Sequence, residues 1–253
     1  MANDFFEFKR FRVMQRRSAM KVGTDGVILG AWCALPENGE DADFDRKYRV
    51  LDIGCGTGVI SLMAAQRTGG SVYIDAIDID KGAIADARDN FAANPWVEHL
   101  GCCNISLQEF SSAAVSAPFP RVYSHIVSNP PFFVNSLNAP DAARNAARHT
   151  DTLSYTGLIA GAVLLLAPDG IFSVILPADS ASAFRMEAAG KGLYCRRRLD
   201  IITKRGMDAK RIAMEFRRAG GEVAESELVI MNDGSGGYTG EYKKLTSDFY
   251  LAF

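Results

Sequence analysis

The chain has 253 residues, 48% of them hydrophobic and 23% charged, with a formal net charge of -2. Those proportions fit a folded α/β domain with a full core and exclude disordered, collagen-like and disulfide-stapled chains. No stretch approaches the roughly 18 apolar residues of a membrane span, and the first ten residues carry no apolar signal core.

Residues 1–21 read as a basic, aromatic extension ahead of a single domain over 22–253. Hydrophobic period then predicts a strand over 48–53, a helix over 59–66, a strand over 72–79 and a helix over 81–93. Asp80 is placed to cap the last of these helices. Strands follow over 97–103 and 122–127. A strongly apolar helix over 153–166 is expected to stop at Pro168-Asp169-Gly170. A strand over 171–176 and a helix over 180–190 complete the alternation, which argues for a mostly parallel sheet covered on both faces. Beyond Gly190 the stretches 193–203, 211–216 and 226–230 leave no room for long helices, so this end is expected to be antiparallel. A loop over 232–237 and a closing helix over 240–249 end the chain.

The five cysteines are odd in number and form no CxxC pair, and there are only three histidines. No structural metal is expected, and the thiols suit a reducing cytoplasm.

Val50-Leu51-Asp52-Ile53-Gly54-Cys55-Gly56-Thr57-Gly58 runs a strand through glycines into a helix. Such a turn lets backbone approach a ligand and aims free N–H groups at it. A dinucleotide fingerprint requires Gly at the position held by Val59, and a phosphate-binding P-loop requires a Lys that is missing. The next strand ends in acid: Asp78 lies 20 positions beyond Gly58, suited to accept hydrogen bonds from ribose hydroxyls. Asn104 closes the third strand, either facing a base edge or as an ordinary turn residue. After the fourth strand comes Asn129-Pro130-Pro131-Phe132. Taken alone, this is a rigid turn.

The glycine turn, with Asp52, Gly54, Gly56 and Gly58, resembles the first motif of class I S-adenosylmethionine (AdoMet) methyltransferases. Asn-Pro-Pro-Phe resembles their motif for methylating exocyclic or amide nitrogens. The resemblance implies a Rossmann-like α/β fold with a mostly parallel seven-stranded sheet and an antiparallel C-terminal hairpin. It also implies AdoMet as cofactor, S-adenosylhomocysteine as product, and cofactor contacts from Asp78, Ile79 and Asn104. Asn129, Pro130, Pro131 and Phe132 would do the chemistry. The adenine amine is a poor nucleophile because its lone pair enters the ring. Acceptors at Asn129 and the Pro130 carbonyl would draw it toward tetrahedral geometry, with the flipped base stacked on Phe132.

The opening of the chain narrows the likeness. Phe8-Lys9-Arg10-Phe11 and Met20-Lys21-Val22-Gly23-Thr24-Asp25-Gly26, with Asn94-Pro95-Trp96, Arg148-His149, Lys210-Arg211 and Glu215-Phe216, resemble bacterial tRNA1(Val) adenine-N6 methyltransferases over nearly the whole chain. That family's target is the adenine 3′ of the anticodon. Thr24 can cap the following helix; the resemblance instead sets Lys21, Thr24 and Asp25 beside the methionine end of AdoMet. Guanine-N2 methylation of ribosomal RNA, glutamine methylation of a release factor, and RNA binding with AdoMet in a structural role are the competing functions. A monomer without metal or membrane is expected.

Charge is partitioned. Residues 1–21 carry a net +4 and residues 191–218 a net +7, leaving the remainder at -13. These segments assign RNA contacts to Lys9, Arg10, Arg12, Arg196, Arg197, Arg198, Lys210 and Arg211, with Phe5, Phe6, Phe8 and Phe11 offering faces for bases; Arg148, after the Asn-Pro-Pro-Phe loop, is a further expected phosphate or ribose contact.

Overall fold

The computed structural model describes residues 3–35, 48–116, 122–131, 153–234 and 236–253. Alternating buried residues in the central strands point to opposite sides of one sheet. Val50, Ile74, Val127 and Ile175 enter one apolar cluster, while Leu51, Ile53, Ile126 and Val174 enter the other. Burial of both faces is what a near-continuous apolar strand such as Arg49–Ile53 requires.

The strands of this sheet are β3 (Arg49–Ile53), β4 (Tyr73–Asp78), β5 (Leu100–Asn104), β6 (Tyr123–Ser128), β7 (Leu166–Pro177), β8 (Tyr194–Lys204), β9 (Arg211–Arg217) and β10 (Ala224–Met231). They lie in the spatial order 10-8-9-7-6-3-4-5, so the sheet has eight strands, one more than expected. A separate antiparallel pair, β1 (Phe5–Glu7) and β2 (Arg12–Met14), forms an N-terminal hairpin. Helices α1 (Thr24–Trp32), α2 (Val59–Arg67), α3 (Lys81–Ala92) and α7 (Gly240–Thr246) cover one face; α4 (Leu107–Ser116), α5 (Tyr155–Leu165) and α6 (Ala178–Gly190) cover the other.

Only β9 runs against the others. It pairs antiparallel with β7 and β8, while β10 pairs parallel with β8. The antiparallel expectation for the last strand is therefore corrected. Residues 218–223 carry the chain past the end of β8, so β10 starts where β8 starts. Arg196 fastens this link by donating to the carbonyls of Ala219, Gly220 and Glu222 at 3.3, 2.7 and 3.1 Å. Helix α5 ends at Leu165, ahead of Pro168-Asp169-Gly170 as expected, but that triplet is not a loop. It lies inside β7, as an irregularity where Tyr123 pairs with Leu166 but His125 pairs with Ile171.

The N-terminal segment joins the same core. Phe8, Phe11 and Val13 are buried, which removes Phe8 and Phe11 as platforms for bases. Phe6 and Phe8 pack on Tyr250, and Phe11 meets Trp96 edge-on. The Lys9 backbone N–H donates to Phe249 O at 2.8 Å, so the two ends of the chain are bonded together.

Candidate active site

In a doubly wound sheet the strand ends diverge where the order reverses, and a crevice opens there. Here the reversal falls at β3, with β4 on one side and β6 on the other. Above it lies a cavity of about 270 Å³, lined by the loop after β3, the end of β4, the segment from Ser18 to Gly23, and Asn129 and Pro131.

The cavity floor is bare backbone. Gly54, Gly56 and Gly58 have φ of 71°, 55° and 79°, a region that side chains resist, and Cβ atoms built on Gly54 or Gly56 project into open space. The turn is fixed from β4: Gly54 N–H and Cys55 N–H donate to Ile77 O at 2.8 and 3.1 Å. Gly58 begins α2 and must be small, since a Cβ there would lie 2.5 Å from the Phe91 ring.

Asp78 lies beside that floor. Its Oδ2 accepts from Gly56 N–H at 2.8 Å and its Oδ1 from Asp80 N–H at 2.9 Å. Burial nonetheless raises its pKa above the usual carboxylate range, since those two donors offset only part of the desolvation. Ile79 extends apolar surface at the rim. Asp80 caps α3 as expected, accepting from Gly82 N–H at 2.7 Å. Asp52 is fully buried beneath the turn, with Oδ2 accepting from Ser61 Oγ at 2.7 Å, and burial pushes it up to about 7.

Asn129 faces this floor from the end of β6. Its Oδ1 is shut off from solvent and has no hydrogen-bond partner among the described residues. α1 approaches from the side: a Cβ on Gly26 would lie 3.7 Å from Asn129 Nδ2. Pro130 is buried, while Pro131 is exposed at the cavity. Phe132, Arg148 and His149 lie outside the described residues.

The segment leading to α1 makes the near wall. Lys21 lines the cavity, its ammonium donating to Gln15 O and to Ser18 O, the latter at 3.2 Å. Thr24 is the first residue of α1 rather than its cap; Gly23 holds that position, with no side-chain cap bond. Neither Thr24 nor Asp25 is among the lining residues. Asp25 instead pairs with Arg211 at 2.8 Å. Asn104 is exposed and ties β5 to β4 by donating to Asp78 O at 2.9 Å, whereas Ile105, Leu107 and Gln108 line the cavity. The sequence reading missed Gly23, Gly26 and Gln108. The glycines sat in plain view within Gly-Thr-Asp-Gly; Gln108 had no signal.

Most of the cations assigned to RNA are engaged within the protein. Arg197 donates to the buried Glu215 at 2.7 Å and lies over Trp32, 4.5 Å from the ring centre. Arg198 binds Asp200 with two hydrogen bonds, and Arg12 pairs with Glu7. Lys9 donates to Ser247 O at 2.6 Å and Phe253 O at 2.5 Å. Arg10 and Lys210 are exposed, and neither side chain has an ion pair among the described residues.

The strand order, the bare glycine turn at its point of reversal and the cavity above it place the molecule among the class I AdoMet-dependent methyltransferases. The family model for the methyltransferase small domain matches residues 38–189. The chain is 42% identical over 251 residues to the tRNA1(Val) (adenine(37)-N6)-methyltransferase of Phocaeicola vulgatus, and 39% identical over 251 residues to that of Bacteroides thetaiotaomicron; both alignments cover 99% of either chain. It belongs to the tRNA1(Val) (adenine(37)-N6)-methyltransferase family. Among solved structures, a predicted O-methyltransferase from Agrobacterium tumefaciens has the same fold, with a TM-score of 0.63, 20% identity, and coverage of 89% of this chain and 96% of that one. The methyltransferase subunit of a type I restriction-modification system from Streptococcus thermophilus gives 0.59 and 12%, covering 92% of this chain and 53% of that one.

Proposed function

We propose that this protein transfers a methyl group from AdoMet to the exocyclic N6 of an adenine in tRNA, the adenine at position 37 of tRNA1(Val). The carrying observation is Asn129, which lines the cavity and whose Oδ1 has no hydrogen-bond partner among the described residues. A buried acceptor left unpaired costs about 1–3 kcal/mol, which a bound N–H donor recovers.

Bound AdoMet supplies a methyl group on a positively charged sulfur and leaves as S-adenosylhomocysteine. Asp78 would receive the ribose hydroxyls, the bare Gly54–Gly56 backbone would admit the cofactor closely, and Ile79 would offer apolar surface to its base. Across the cavity, Asn129 Oδ1 and the Pro130 carbonyl accept the two N–H bonds of the adenine amine and offset positive charge as it develops on nitrogen. The prolines hold these acceptors in place, which makes alignment the main source of rate. Phe132 is assigned the stacking face for the flipped base. The alkylated nitrogen gives its proton to solvent, so no general base is required. Work in the cytoplasm, as a monomer without metal, belongs to the same reading.

The test is Asn129→Ala with labelled AdoMet and tRNA from a strain lacking this protein. The variant should lose about 10²- to 10³-fold in kcat while still binding AdoMet. Parent-level incorporation by the variant, or nucleoside mass spectrometry showing no new N6-methyladenosine with the parent enzyme, would overturn the assignment.

A further inference from the structure

Of the arginines that composition pointed to, Arg12, Arg196, Arg197, Arg198 and Arg211 are spent on intramolecular contacts, which leaves other cations to meet RNA. The connection between β8 and β9 presents three candidates. Lys204, Arg205 and Lys210 are exposed, and their side chains have no hydrogen bond or ion pair among the described residues. Asp208 is the one acid in the same turn.

Sheet register fixes where this turn stands. Ser128 of β6 pairs with Val174 of β7, and Pro177, three residues on, pairs with Arg211 of β9. Arg211 is thus level with the Asn129–Pro131 turn and two strand spacings away, about 10 Å to the side. The residues between Lys204 and Lys210 rise beyond that level, on the same edge of the sheet as the catalytic turn.

The turn is also rigidly seated. Lys210 N–H donates to Ile201 O at 2.9 Å, Lys210 O accepts from Ala178 N–H at 3.2 Å, and Met207 N–H donates to Lys204 O at 3.1 Å. At its base, Arg211 binds Asp25 in the first turn of α1, the helix whose Gly26 abuts Asn129. Met207 at the tip is 46% exposed, an apolar surface between cations.

We infer that the β8–β9 turn is the RNA grip of this enzyme, with Lys204, Arg205 and Lys210 holding phosphates that flank the adenine delivered to Asn129. This rests on the reading of the site as a tRNA adenine methyltransferase. Its linkage to α1 makes the turn a spacer as well as a handle, because phosphates and amine are held by parts of one rigid frame.

The test compares the triple variant Lys204→Ala, Arg205→Ala, Lys210→Ala with a control carrying Lys243→Ala and Lys244→Ala on α7. Filter binding to tRNA over a salt series is measured beside methylation kinetics and AdoMet titration. The triple variant should show at least about a tenfold rise in KM for tRNA and a binding slope against log salt shallower by about 2 (three contacts at about 0.7 each). AdoMet affinity should stay at the parent value, and the control should match the parent in every measurement. An unchanged KM and slope in the triple variant, or an equal loss in the control, would overturn the inference. Filter binding needs no methyl transfer, so failure here is distinguishable from failure of the Asn129 assignment, which the nucleoside analysis reads.

Discussion

His125 on β6 and Asp52 on β3 are buried neighbours on one face of the sheet, since Val50 pairs with His125 and Asp52 with Val127. Burial acts on them in opposite directions. The His125 ring, with neither nitrogen partnered among the described residues, is pushed down to about 3 by burial, aided by Arg67 and Arg217, while Asp52 is pushed up to about 7. The unfolded chain takes a proton on His125 below about 6.5, so His125 supplies stability above that pH which is lost as pH falls toward 3. Asp52 does the reverse: its contribution is full below about 3.8 and is lost as pH rises through 7. The two slopes oppose each other between about 4 and 6.5. Thermal denaturation across pH should therefore unmask them separately. His125→Leu should gain most over the parent near pH 4 and little at pH 7. Asp52→Asn, which keeps an acceptor for Ser61, should gain most at pH 8. Two variants tracking the parent at every pH would show that neither group changes its protonation on folding. At this scale the residues that line the cavity were legible: Asn129, Asp78 and the glycines sit in short motifs of adjacent residues. The orphaned His125 ring was not, because its meaning comes from what surrounds it on other strands.

Among elements, α3 does more than cover the sheet. Asp86 Oδ2 accepts from Arg17 N–H and Ser18 N–H, both at 2.8 Å, and Asn90 bonds to Met14 N–H, Met14 O and Thr57 O at 2.7, 2.9 and 2.9 Å. The segment that walls the cavity is thus strapped to this helix. Asp86→Ala should raise the AdoMet dissociation constant about tenfold, or about 1.4 kcal/mol, by isothermal titration. An unaltered constant would show that the strap does not shape the cofactor site. No periodicity announces a backbone strap, which explains why residues 1–21 read as a separate extension. The run Arg196-Arg197-Arg198 misled for a related reason. On a strand these side chains alternate, and each face offered a partner: the 218–223 link for Arg196, Glu215 and Trp32 for Arg197, Asp200 for Arg198. Arg197→Ala should destabilise the fold by about 1–3 kcal/mol in a denaturant titration, because Glu215 loses a partner. The salt dependence of tRNA binding should be unaffected; a flatter slope would restore Arg197 as a phosphate contact.

For the whole molecule, the β-α alternation predicted the layers correctly because each unit is read within about 30 residues. The direction of the last strand and the seat of the N-terminal hairpin depend on chain segments far apart, and no local pattern encodes them. The remainder of the chain carries -13 against the two basic segments; Arg17 pairs with Asp86 and Asp89 and Arg211 with Asp25 across that divide, while Arg197–Glu215 and Arg198–Asp200 pair within one basic segment.

The bond between Lys9 and the last residues carries a consequence for synthesis. The Lys9 ammonium and Ser247 O are separated by 238 positions, and Phe8 meets its bridge partner Tyr250 only at the far end of the sequence. On a ribosome moving at about 5–20 residues per second, the first hairpin emerges roughly 12–50 s before the C-terminal part of the surface it packs on exists. Phe6 and Phe8 wait that interval for Tyr250, so the nascent chain should engage a holding chaperone, and strains short of such chaperones should accumulate this enzyme as aggregate.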